Sequence, residues 1–262
     1  MSKLLTAAAA FPVLWALVGP AAAAPVTPDV IFGSGNANGS FTIATDGDVE
    51  LGLRAKVRFN AANMPENTFN YDGINTYTFA NGVPGGSGFG FAPGSTSTAS
   101  WNFEWSINSD VTGLLGRNLD DLTYLLSIDF DPTAGTNFLT FDPINSGPAD
   151  HAIGDNNTGN GGGTSDPGNY ATLIANNNVA QNSWNMEFFD TPPLFPFLNS
   201  VPGSYAFELA AFDGAGDELA RTSISVEVSA VPIPAALPLL AGGLGFMGLM
   251  GWRRKRKAAK AS

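Results

Sequence analysis

Apolar and polar residues alternate strictly along several stretches of the chain. In residues 49–59, Val49, Leu51, Leu53, Ala55, Val57 and Phe59 fall on one side, with Glu50, Gly52, Arg54, Lys56 and Arg58 on the other. Successive side chains of a strand point to opposite faces, so a period of two predicts a half-buried β-strand. Residues 101–108 repeat it through Trp101, Phe103, Trp105 and Ile107, and residues 122–130 through Leu122, Tyr124, Leu126, Ile128 and Phe130. Trp184, Met186 and Phe188 alternate with Asn185, Glu187 and Phe189. Tyr205, Phe207, Leu209 and Ala211 form a further set, and Ile224, Val226 and Val228 the last. Shorter candidates at 40–45, 76–79 and 137–141 bring the total to about nine strands.

No segment before Val231 carries an amphipathic helical period. The nearest, residues 171–179, is broken by Asn176-Asn177-Asn178. Turn chemistry is abundant: the chain has 31 glycines and 18 prolines, and Asn-Gly pairs begin at Asn38, Asn81 and Asn160. Both residues of such a pair tolerate positive φ. Two long Gly/Asn-rich stretches, 81–100 and 146–169, read as loops, the first of them mobile. The expectation is an all-β chain folded as a single antiparallel β-sandwich with long loops. Strand pairing is not written locally, so jelly-roll and immunoglobulin-like topologies both remain open.

The two ends have a different character. Lys3 precedes an apolar run from Leu4 to Val18, followed by Gly19-Pro20 and four alanines. This is the layout of a secretory signal peptide, with Ala21 and Ala23 as the small residues before the cleavage point. Pro12 breaks the run, which is also short for a bilayer span. Residues 235–252 are uncharged and would make a helix of roughly 27 Å, close to the hydrocarbon thickness of a membrane. Arg253, Arg254, Lys255, Arg256 and Lys257 follow at once, the positive flank that stays on the cytoplasmic side. The chain thus divides into a signal peptide (1–23), an ectodomain (24–230), a sorting motif with transmembrane helix (231–252) and a basic cytoplasmic tail (253–262).

Charge sharpens this division. The formal net charge is −11, yet six of the 12 basic residues lie in the last ten positions. Between Asp29 and Glu227 five basic residues face all 23 acidic ones, a net −18. So acidic a body does not bind nucleic acid through a basic groove. Zero cysteine excludes disulfides, thiolate metal sites and thiol nucleophiles, and a single histidine, His151, excludes a His-pair metal site within one chain.

The stretch Val231-Pro232-Ile233-Pro234-Ala235, the glycine-rich apolar segment and the terminal Arg/Lys cluster together resemble the PEP-CTERM class of sorting signal, in its VPxPA variant. The resemblance implies a substrate of exosortase, a membrane protease-transferase of Gram-negative bacteria. It implies cleavage near Val231, Pro232 and Pro234, loss of the helix and tail, and release or attachment at the cell surface. Proteins of that class accompany exopolysaccharide production. The implied partners are signal peptidase, exosortase and exopolysaccharide, with only transient residence in the inner membrane. The implied role is structural or adhesive, in a biofilm matrix.

Candidate chemistry in the body is sparse. Residues 154–166 hold Asp155, Asn157 and Asp166, oxygen donors of the type calcium prefers, with glycines that permit a tight wrap. The spacing fails the EF-hand template: counted from Asp155, position 6 is Asn160 and position 12 is Asp166. A polar surface loop is the expectation, and no resident cofactor is expected. Asp46/Asp48 and Asp213/Asp217/Glu218 read as turn residues. Arg54, Lys56 and Arg58 share one strand face, either as a contact strip for acidic polysaccharide or as partners of acidic residues across the sheet. The second fits an acidic body better. Glu104 and Glu187 lie on the faces opposite the tryptophans of their strands, and Asp129/Asp131 sit at a strand end. None of these makes a recognisable acid/base pair. His151 lacks a nucleophile elbow and is expected in a loop. Trp101, Trp105 and Trp184 are expected in the core. Two alternatives remain beside the structural role. A carbohydrate-binding module would expose an aromatic strip, with Phe89, Phe91, Phe195 and Phe197 as the residues to inspect. A secreted hydrolase would set two carboxylates across a cleft.

Overall fold

The computed structural model describes residues 26–58, 66–82, 98–133, 135–189 and 201–230. The expected signal peptide (1–23), sorting motif with transmembrane helix (231–252) and basic tail (253–262) fall outside these residues, as do Phe89, Phe91, Phe195 and Phe197. Among the described residues no helix is long and apolar enough to cross a membrane.

Ten strands form among the described residues: β1 (Thr42–Asp46), β2 (Val49–Val57), β3 (Thr76–Ala80), β4 (Trp101–Asn108), β5 (Thr123–Asp129), β6 (Phe138–Phe141), β7 (Ala152–Gly154), β8 (Val179–Trp184), β9 (Gly203–Phe212) and β10 (Glu218–Ser229). They make two five-stranded sheets, in the orders β1-β2-β4-β8-β7 and β3-β10-β9-β5-β6. The inward residues of the alternating stretches meet between the sheets. Val49, Leu51, Leu53, Trp101, Phe103 and Trp105 come from the first sheet, and Tyr205, Phe207, Leu209 and Val226 from the second; all are buried. Phe103 and Phe207 join the layers with ring centroids 4.6 Å apart. The three tryptophans expected inside are there.

Three expectations need correction. The sheets are not wholly antiparallel: β3 runs parallel to β10, with Thr76 opposite Ser225. A parallel pair needs a crossover rather than a hairpin, and here β4 to β9 lie between the two strands in sequence. The alternation at 184–189 is not one strand. β8 stops at Trp184 and a 3-10 turn follows at Met186–Phe189. Asn185 ends the strand by turning its side-chain amide onto Ala99 N and O and Trp101 O. The stretch 146–169 is not a plain loop. It contains β7, and Ile153 bridges to Thr164 across a Gly-rich turn. One short helix, α1 (Tyr170–Ile174), lies at the start of the stretch that came nearest to a helical period.

The polar face of the first sheet is largely covered. Residues 26–41 cross it as a strap, joining β1 at the sheet edge. Val26, Val30, Ile31, Phe32 and Phe41 are buried against Ala152 and Val179 in a second, smaller apolar cluster. Each such side chain contributes roughly 1.5–3 kcal/mol when withdrawn from water. The strap forms no ladder with the sheet, so its backbone groups are satisfied by side chains from the face below and by backbone N–H groups of Gly161 and Gly163, as buried peptide groups must be. Gln181 accepts from Ile31 N at 2.8 Å and donates to Asp29 O at 3.1 Å. Asn108 donates to Thr27 O, and Thr27 N donates to Glu50. Arg54 donates to Ala37 O and Gly39 O.

Hydrogen bonds fix the poles of the domain. Ser229 O accepts from Asn81 N, Ser100 Oγ donates to Ala80 O, and Arg58 N donates to Ser100 O. The end of β10 therefore lies at the pole where β2 ends and β4 begins. The start of the strap, bonded to Glu50 and Asn108, lies at the other pole.

Gly52 shows how closely the strap is seated. A Cβ there would lie 2.9 Å from Val26 Cγ1 and 3.0 Å from Phe41 Cδ1. Gly52→Val is expected to lower stability by about 1–3 kcal/mol in urea unfolding, the range for overpacking. Gly214→Ala, at a position with nothing within 4 Å of a new Cβ, is the control and should change little.

Candidate functional site

The strip Arg54, Lys56, Arg58 is buried rather than offered to solvent, Arg54 and Lys56 beneath the strap and Arg58 against Glu187 and Phe188. Arg54 is 0%, Lys56 4% and Arg58 3% exposed. Register places Arg54 directly opposite Glu104, and Arg54 Nε lies 2.5 Å from Glu104 Oε2. Lys56 Nζ is 3.2 Å from Glu104 Oε1 and also donates to Asn36 of the strap. The Arg54 guanidinium lies over the rings of Phe41 and Phe69, at 4.2 and 4.6 Å. Arg58 pairs with Glu187, which also accepts from Thr98. Burial alone would raise the Glu104 pKa, but the charges of Arg54 and Lys56 prevail and hold it below the ordinary carboxylate value. Pairing across the sheet accounts for Arg54 and Lys56, and pairing with the Met186–Phe189 turn for Arg58; together they occupy Glu104 and Glu187, the carboxylates considered for catalysis. What alternation missed is that this face is interior.

The glycine-rich candidate loop belongs to the same construction. Gly161 N donates to Val30 O, and Gly163 N to Ile31 O at 2.9 Å. A Cβ on Gly161, which has φ +70°, would lie 2.7 Å from Ser34 Cα, and one on Gly163 2.9 Å from Ile31 O. These glycines let two backbones touch. Asp155 accepts from Asn157 N and Thr158 Oγ1, closing its own turn. Asp166 accepts from Gly168 N, capping the 3-10 turn Pro167–Asn169. Among the described residues no group of three or more His, Asp or Glu side chains is arranged to hold a metal ion.

Asp155 and Asn157 do line a cleft of about 230 Å³ at the strap-start pole, together with Asp110, Arg117, Asn118 and Asn176. Asp166 is not part of its lining. The cleft amides are largely spent on the protein itself. Asn118 donates to Ala175 O, Asn176 to Thr172 O, and Asn178 to Asn108, Asn156 and Asp110 O. Burial opposes ionisation of Asp110, but backbone N–H groups led by that of Arg117 hold its pKa below the usual value. A general acid needs the opposite shift. Asp129 is engaged too, accepting from Asp131 N and Asn137 N. Asp213 closes its turn by accepting from Ala215 N and Asp217 N.

His151 lies outside the strands, as expected, but deep inside: it is 0% exposed, wedged against Trp105, Trp184 and Tyr170. Burial lowers its pKa, so it is neutral at pH 7, with Nε2 bonded to Pro143 O and Nδ1 to Asn182. It is a packing and hydrogen-bonding residue.

No family model, curated protein or solved structure matches this chain.

Among the described residues Glu50 is the one acid whose pKa is pushed up, to about 7, by burial beneath the strap, partly offset by its bond from Thr27. The folded chain then holds a proton that the unfolded chain has released. Stability contributed by this group falls as pH rises from about 4.5 to about 7 and is level above. Glu50→Gln should remove that dependence. Chemical denaturation at pH 5 and pH 8 is expected to show the variant gaining on the parent at the higher pH, by on the order of 1–2 kcal/mol.

Proposed function

We propose that this chain is an exported bacterial surface or matrix protein with a structural or adhesive role. Signal peptidase removes residues 1–23, and an exosortase cleaves near Val231, Pro232 and Pro234. The acidic body is then delivered to the cell surface or to an exopolysaccharide matrix. Its two sheets are those of a β-sandwich of the jelly-roll or immunoglobulin-like kind, and it needs no cofactor.

The observation that carries this reading is the three-part C-terminal arrangement: the Val-Pro-x-Pro motif, the uncharged glycine-rich segment and the cluster Arg253–Lys257. The place of the motif in the chain supports it. β10 closes the second sheet at Ser229, two residues before Val231. Cleavage there leaves every described strand intact. A non-catalytic body agrees with the engagement of Glu104, Glu187, Asp110 and Asp129 in ion pairs and turns. Among the described residues the lining of the polar cleft holds no aromatic side chain of the kind on which a carbohydrate module stacks sugar rings.

Mass spectrometry of the mature protein from an exosortase-bearing host tests this. The expected product begins near Ala24 and ends near residues 231–234. In a host lacking exosortase the intact tail should be retained in the membrane fraction. Recovery of Arg253–Lys257 on mature, surface-exposed protein from the exosortase-bearing host would contradict the reading.

A further inference from the structure

Lys56 is the one lysine between residues 24 and 230. It is buried, a rare position for lysine unless its amine is engaged. Two groups meet that amine. Glu104 Oε1, from β4, lies 3.2 Å from Lys56 Nζ and takes no hydrogen bond from another described residue. Asn36, from the strap, accepts from the same nitrogen through its side-chain Oδ1. The amide carbon stands one C=O bond, about 1.2 Å, behind that oxygen. A nucleophilic amine, an amide carbonyl and a carboxylate therefore converge where strap and sheet meet, at the separations a reaction between them needs.

We infer that Lys56 and Asn36 join in an intramolecular isopeptide bond, promoted by Glu104, that fastens the strap covalently to β2. Glu104 takes a proton from the Lys56 ammonium. The freed lone pair of Nζ adds to Asn36 Cγ, and the carbonyl electron pair moves onto Oδ1. Glu104 hands its proton to Nδ2 and takes one from Nζ in its place. The oxyanion re-forms the carbonyl, the Cγ–Nδ2 bond breaks, and ammonia leaves with the proton held by Glu104, as ammonium. The carboxylate is regenerated, and nothing is oxidised or reduced.

The surroundings hold these three groups in place. Arg54 binds the other oxygen of Glu104 through Nε and the carbonyl of Ala37, next to Asn36, through Nη1. With Lys56 it keeps Glu104 ionised, the form a base requires. Asn36 Nδ2 donates to Phe32 O and Gly33 O, which leaves Oδ1 for the lysine, and Asn160 Nδ2 donates to Asn36 O. The bond from Nδ2 to Gly33 O is exposed, so the leaving nitrogen departs into water. The chain has no cysteine with which to secure the strap by a disulfide; an amide link does so without one. The inference rests on this geometry and not on the sorting signal.

Intact-mass spectrometry of the purified, folded protein reads the bond. The expected mass is one ammonia below that of the unlinked chain. Trypsin should then release the peptide ending at Arg54 joined to residues 55–58, because an acylated Lys56 is not cleaved. Lys56→Arg keeps a cation beside Glu104 but no nucleophilic amine, and Asn36→Ser removes the amide from a half-buried position. Both should show the full, unlinked mass, and either suffices if the other folds poorly. Glu104→Gln, followed by mass from the time of synthesis, should slow linkage roughly 100-fold. An unlinked mass in the folded parent would overturn the proposal and leave Lys56 and Glu104 a plain ion pair. Ammonia loss that persists in Lys56→Arg would overturn it as well, since that loss is ring closure at an Asn-Gly pair such as Asn38-Gly39. Linkage at the parent rate in Glu104→Gln would overturn the role of Glu104.

Discussion

Arg54 carries a full charge with no exposure to water, and its surroundings explain much of the rest of the domain. A buried charge is tolerated only when paired and hydrogen-bonded. Glu104 opposite it on β4 supplies the pair, Phe41 and Phe69 supply ring faces, and Ala37 O and Gly39 O accept the remaining guanidinium protons that are bonded. Three of these partners come from the strap. Sheet and strap are therefore mutually dependent: the sheet provides donors for a segment with no ladder of its own, and the segment seals charges the sheet could not otherwise bury. The glycines at 52, 161 and 163 follow from this closeness, since each admits strap atoms where a side chain would collide.

The same constraint reorganises the sites. Residues that look like chemistry in isolation turn out to be fastened. The basic strip is neutralised from within, the glycine-rich loop is a seat for the strap, and His151 is a neutral wedge among aromatic rings. Among the described residues, the strap-start pole opens to solvent as a polar cleft whose amides mostly hold its own walls and, beside it, a wider depression lined by Val26, Thr27, Asp29 and Asn38 of the strap. The opposite pole is where β10 ends, two residues before the sorting motif proposed above. A domain tethered there would present the cleft pole outward.

The strands were legible because their inward residues are large and apolar and their periods unbroken, as in β2, β4 and β9. β8 escaped notice because polar residues occupy both its faces: Gln181 serves the strap and Asn182 serves His151. The strap was illegible for a related reason. Val26, Val30, Ile31 and Phe32 follow no period, and the polar partners they cover sit at strand positions that ordinarily face water. Alternation states which residues share a face; it does not state whether a later-packed segment covers that face. An unclaimed apolar cluster before β1, beside a strand face with three basic residues in an acidic body, was the signal available.

Removal of the strap is the most direct measurement of this dependence. A chain beginning at Thr42, the first residue of β1, should lose its cooperative unfolding transition, and its buried tryptophans should shift to solvent-like fluorescence, because Arg54, Lys56 and Glu104 are then left uncovered. A truncated chain that unfolds cooperatively with the stability and tryptophan spectrum of the parent would contradict the account.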